Sequence, residues 1–223
     1  MTDLTIETTR FREWAGGGLG PREGQWECDY SQWPAWHRAV LDWVVGRHPR
    51  GWSEAETGHV LYAIARDNDA QYLAREIRKR RPGTLRFLAR AALAHGESDA
   101  RWQLAVELGH LSGDDEAQAL LFALSTDRNE YVRRRAIRSL AGLGVRAAEE
   151  LAWAAWHRDD EDQEWARMSA LECLRELESP RFDALLAEAL QDTRPFLRQH
   201  AERLRAAVAQ KSGRSDPAFE SEA

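Results

Sequence analysis

The stretch Asp127–Gly144, DRNEYVRRRAIRSLAGLG, reads as a short polar turn followed by one amphipathic helix, and its pattern decides the fold. Val132, Ala136, Leu140 and Leu143 fall at i, i+4, i+8 and i+11, so all four line one helical stripe. A lone helix has nothing to bury that stripe against, so the stretch requires neighbours.

Those neighbours are copies of itself. With Val132-Arg133-Ala136-Leu140-Leu143 as template, the same offsets give Ala100-Arg101-Leu104-Leu108-Leu111, Ala166-Arg167-Ala170-Leu174-Leu177 and Leu197-Arg198-Ala201. The arginine recurs at steps of 32, 34 and 31, and Leu73 and Ile77 extend the series backward with Ala70 in the arginine's place. Six residues before the arginine stands an acid in three copies: Asp127, Glu161 and Asp192. A two-helix unit recurring about five times is the pattern of an α-solenoid, in which each unit buries its stripe on the next.

Start and stop signals place the other elements. Spacing predicts helices over 84–95, 99–111, 115–125, 129–144, 146–158, 163–178, 180–191 and 194–210, with Gly96, Asn129, Ser179-Pro180 and Thr193 marking breaks. Upstream, Ser31 is expected to cap a helix with Pro34 in its first turn, Ser53 to Glu56 reads as a capping box, and Asp67-Asn68-Asp69 as the next cap. No segment alternates with period two, so the chain is all-α. Residues 1–30 show no helical period. Their glycines, Gly16, Gly17, Gly18 and Gly20, and their rings, Phe11, Trp14, Trp26 and Tyr30, suggest an irregular cap over the end of a core. The chain thus divides into an N-terminal aromatic cap segment and first helix, 1–52, a repeat domain, 53–210, and a polar, disordered tail, 211–223.

An acid followed six residues on by a V-R or A-R pair, then Ala and Leu at helical spacing, resembles the HEAT repeat, in particular the short bacterial version called PBS-lyase HEAT-like. The resemblance covers about residues 54–210 and is strongest over 115–144. It implies a right-handed α-solenoid of about five HEAT-like helix pairs behind a Trp-rich N-terminal cap. It also casts Asp127, Arg133, Glu161, Arg167, Asp192 and Arg198 as a ladder tying successive turns together. Most such proteins bind other macromolecules, and a minority are enzymes or lyases.

In the resemblance the second helix of each pair lines the concave face. Rotation by 100° per residue then puts Tyr131, Arg134 and Arg138 opposite the buried stripe, with Trp102, Trp165, Met168, Glu172, Gln199 and Arg203 at equivalent places. Rigid aromatics and arginines are what a protein-binding hot spot uses. The competing reading is that Tyr131, Trp165 and Phe196, which share one repeat position, stack on one another; Trp102, Arg134 and Arg138 are less open to it. Arg135 lies toward the flank.

Composition bounds the rest. A chain of 223 residues buries roughly 70% of its unfolded surface as one domain, so no metal or disulfide is required to hold it. The 2 cysteines, Cys28 and Cys173, form neither a disulfide framework nor a zinc-spaced set, and no apolar run approaches the length of a membrane span; a cytoplasmic protein is expected. A formal charge of −6 argues against bulk nucleic-acid binding. The basic run Arg78 to Arg81 ends a helix, where cations offset its dipole, and the acids of His157–Glu164 suit a turn and the start of the next helix. His37 and His48 lack partners at metal-ligand spacing. No catalytic motif, cofactor site or metal site is present. The expectation is a non-enzymatic protein-binding module, an adaptor or a toxin-neutralising immunity-type protein whose partner is basic. The alternative is a HEAT-like DNA-binding protein or alkylpurine DNA glycosylase, with Trp102, Trp165, Glu172, Arg134 and Arg138 around DNA.

Overall fold

The computed structural model describes residues 3–17, 26–158 and 163–213. Gly18, Gly20 and Pro21, most of the acidic run with Glu161, and the chain from 214 lie outside the described residues. Among the described residues the protein is twelve α-helices and no strand. They are α1 (Leu4–Gly16), α2 (Trp33–Gly46), α3 (Glu54–Arg66), α4 (Tyr72–Arg80), α5 (Pro82–His95) and α6 (Ser98–Leu108). Then follow α7 (Asp115–Leu124), α8 (Glu130–Gly142), α9 (Ala148–Trp156), α10 (Gln163–Glu176), α11 (Phe182–Leu190) and α12 (Pro195–Gly213). Packing divides the chain into two compact units, Met1–Leu143 and Gly144–Ala223.

In the first unit α3 packs on α5 and α5 on α7, while α4 packs on α6 and α6 on α8, so first helices stack on first helices and second on second. In the second unit α9 packs on α10, α10 on α12 and α11 on α12. This is the stacking an α-solenoid requires. The template stripe is what it buries: Val132, Ala136 and Leu140 have no exposed surface, nor do Leu104 and Leu108, Leu174, or Leu197 and Ala201. Where α6 ends, a Cβ on Gly109 would come within 2.6 Å of Ser139, so glycine is what lets that end approach α8.

The N-terminal region corrects the expectation of irregular structure. Residues 4–16 form α1, started by Asp3, whose carboxylate accepts from the N–H groups of Thr5 and Ile6. Its buried face is Leu4, Glu7, Thr8 and Phe11, a proper helical stripe half of whose members are polar, which hides it from a hydrophobic pattern. Thr8 is spent on a buried bond, its hydroxyl accepting from the indole N–H of Trp36 at 3.1 Å. Phe11 then stacks on Trp36 with ring centres 4.3 Å apart and meets Tyr30 edge-on at 4.9 Å. Two smaller corrections concern caps: Gln32, not Ser31, precedes α2, and Gln71 precedes α4 in a left-handed conformation while the Asp67 carboxylate accepts from Leu73 N–H. The Ser53–Glu56 capping box is present as expected.

Two of the repeat acids, Asp127 and Asp192, are junctions. Asp127 accepts two side-chain bonds from Arg101 of the preceding repeat, at 2.6 and 3.1 Å, and its carboxylate also caps Asn129 N–H. Its backbone carbonyl accepts from Arg133 of its own repeat. Asp192 repeats the arrangement, with Arg167 from the preceding repeat at 3.3 Å and its carbonyl accepting from Arg198. Arg101 and Asp127 are nearly without exposed surface, so the pair sits where an orphaned charge is expensive. Arg101→Ala should therefore lower the unfolding free energy in urea by about 3–5 kcal/mol. Arg198→Ala, at the exposed equivalent position, should cost about 1 kcal/mol or less.

Asp192 is further gripped by Arg194, whose guanidinium and backbone N–H both donate to it. Those bonds, above all the guanidinium's, hold its carboxyl down from 3.8 to about 2. A depressed carboxyl contributes stability that is present above its unfolded value and lost as pH falls through the folded one, here between about pH 4 and pH 2. NMR titration of the folded protein should place Asp192 near 2, and Arg194→Ala should move it up toward 3.8.

Candidate functional site

Two faces on second helices gather the aromatic and arginine residues singled out above, one in each compact unit. In the first, Trp102 on α6 meets Tyr131 on α8 edge-to-face, with ring centres 5.3 Å apart. Two guanidiniums lie over the Tyr131 ring, Arg134 and Arg135, each 4.7 Å from its centre. Arg134 is also held by Glu130 at 3.0 Å, a pair one helical turn apart. Arg135 donates to the Tyr131 hydroxyl and lies 5.7 Å from the centre of Trp102.

Trp102 departs from the sequence expectation. It is 6% exposed, its indole N–H donates to Asp99 at 3.3 Å, and it has little area left to give a partner. The reason is the stacking of α6 on α8: the position after the repeat arginine faces the next repeat as much as it faces solvent. The aromatic contact from α6 to α8 is thus made by Trp102 on Tyr131. Arg135, expected at the flank, completes this cluster. Its signal was in the sequence, since it stands four residues from Tyr131 on the same helical face.

The face in the second unit is different in character. Trp165 on α10 and Phe196 on α12 lie nearly parallel with ring centres 6.2 Å apart, as their shared repeat position allows, and are 45% and 56% exposed. Met168 and Glu172 are half-buried on α10, and Gln199 and Arg203 are exposed on α12. Glu172 lies 3.2 Å from the imidazole of His200, which is buried between the helices. Leu197 N–H donates to Glu164, fixing the start of α12 against α10. Arg138, on α8, is exposed.

Residues 117–206 match the family model for HEAT repeats. The match takes in nearly all of α7, then α8, and runs into α12, so it includes the Trp165–Phe196 face and the repeat that was the sequence template. Over this stretch the chain is similar to a HEAT-repeat protein, an architecture whose stacked helices serve as a protein-interaction scaffold. No curated protein matches the chain. Among the described residues no group of three metal-ligating side chains gathers, and no helix is long and apolar enough to cross a membrane. His48 acts as a turn cap, accepting from Arg50 N–H, and His37 lies 3.3 Å from Asp67 between the rings of Trp33 and Tyr72.

The two faces are separable by stability. Trp102→Ala empties a buried aromatic site and should cost about 3–5 kcal/mol in chemical denaturation. Trp165→Ala, at a surface stack, should change stability by about 1 kcal/mol or less.

Proposed function

We propose that this chain is a non-enzymatic protein-binding module that holds a partner protein on the α10–α12 face. The observation that carries the proposal is the exposed parallel pair Trp165–Phe196. Large aromatic area that is already rigid before binding costs little entropy to immobilise, and such residues dominate interface energies. Met168 on α10 and Gln199 and Arg203 on α12 add adaptable and polar groups on the same two helices, the composition of an interface centre and its rim.

An adaptor, or an immunity-type protein neutralising a toxin in the cytoplasm, fits a small stack of about five HEAT-like pairs. The formal charge of −6 favours a basic partner, because complementary charge speeds encounter and excludes wrong partners. The DNA glycosylase alternative is weakened by the burial of Trp102, on which no base can lie, and by the pairing of Arg134 with Glu130.

The test is affinity capture from the native cell with the wild-type chain and with Trp165→Ala/Phe196→Ala, followed by titration of the captured protein. The double variant should keep its helical circular dichroism and lose more than about 2 kcal/mol of binding free energy. A partner bound equally by both forms would place the site away from this face.

A further inference from the structure

At one corner of the first unit the turn after α2, the end of α4 and the start of α5 enclose a groove of about 840 Å³. Six arginines line it, Arg47 and Arg50 from the turn, Arg80 and Arg81 from the end of α4, Arg86 and Arg90 from α5, and the one carboxylate on its wall is Glu116. The neighbouring cavities described are not lined in this way, and an excess of like charge is unfavourable to the folded chain.

Part of this charge is answered within the protein. Arg80 pairs with Glu76 at 3.0 Å, Arg90 with Glu116, and Arg86 with Asp114. Two of the others are held in place by groups that carry no charge. Arg81 donates to the Val45 carbonyl at 2.9 Å, and Arg47 lies 3.9 Å over the Trp43 ring. Among the described residues neither of them, nor Arg50, has an ion pair. Arg86 Nε is buried and 2.9 Å from Glu116 without the alignment of a hydrogen bond. The groove also takes in the start of α5, whose N-terminus has no side-chain cap and bears the positive end of the helix dipole.

We infer that this groove is a binding site for a compact ligand carrying two or more phosphate groups. Guanidiniums pair with phosphate oxygens through two parallel N–H bonds, and arginines already positioned by a carbonyl and a ring lose less freedom on doing so. The size lies within the range of small-ligand sites. A formal charge of −6 for the whole chain makes the surface beyond the groove acidic on balance, which suits a compact anion and opposes a long nucleic-acid strand. The shared chemistry is the di- or triphosphate; a nucleotide and an inorganic polyphosphate are its two sources.

The test is isothermal titration calorimetry of the full chain with inorganic tripolyphosphate, ATP, orthophosphate and a single-stranded oligonucleotide, at low and moderate salt. Saturable one-to-one binding of tripolyphosphate is expected, at least about tenfold tighter than orthophosphate and weakened by salt. Arg47→Ala/Arg50→Ala, both exposed and in a turn, should keep the circular dichroism and thermal midpoint and lose about tenfold in affinity. ATP binding much tighter than tripolyphosphate assigns the nucleotide source, and equal binding the inorganic one. The inference is overturned by absence of binding at about 1 mM ligand in low salt, by unchanged affinity in the folded double variant, or by oligonucleotide binding that grows with length and exceeds tripolyphosphate.

Discussion

The structure depends on a carboxylate that serves two repeats at once. Asp127 takes the Arg101 guanidinium from the repeat before it and gives its backbone carbonyl to Arg133 of its own, and Asp192 does the same with Arg167 and Arg198. Leucine stripes supply most of the favourable free energy, but apolar contact is non-directional and tolerates sliding. A buried ion pair tolerates none, because a shifted register would leave a guanidinium and a carboxylate separately desolvated. The stripe makes helices stack; the carboxylate decides where.

Much of this was legible from residue spacing, because solenoid contacts are local and repeat. The arginines at 101, 133, 167 and 198 and the acids at 127 and 192 marked the junctions before any geometry was known. The Ser53–Glu56 capping box was legible for the same reason, since all its atoms lie within one turn. α1 was not legible. Thr8 and Glu7 occupy buried places in it, and what makes a buried threonine acceptable is Trp36, 28 residues away.

The binding faces were half legible for a related reason. Position on a helix wheel says which residues point away from the buried stripe, but whether the next repeat covers them depends on side-chain reach. Trp102 is long enough to touch Tyr131 and is buried; Trp165 shares its exposure with Phe196. The arginine groove is invisible in the sequence, where only Arg80 and Arg81 stand out, as part of a basic run. Arg80 and Arg81 read as the end of a helix, and nothing in their spacing places Arg47, Arg50, Arg86 and Arg90 around the same space.

The direction of the ladder has a consequence for how such a chain changes length. Each described rung runs from an arginine to the acid of the following repeat, Arg101 to Asp127 and Arg167 to Asp192. Inserting or deleting a whole repeat leaves each of these arginines facing an acid. Inserting half a repeat strands a charge in a dry interior, whereas the unequal arginine spacings of 32, 34 and 31 show that a few residues in a loop are absorbed. Duplication of a complete repeat thereby costs the ladder nothing, and insertion of half a repeat costs it a desolvated charge.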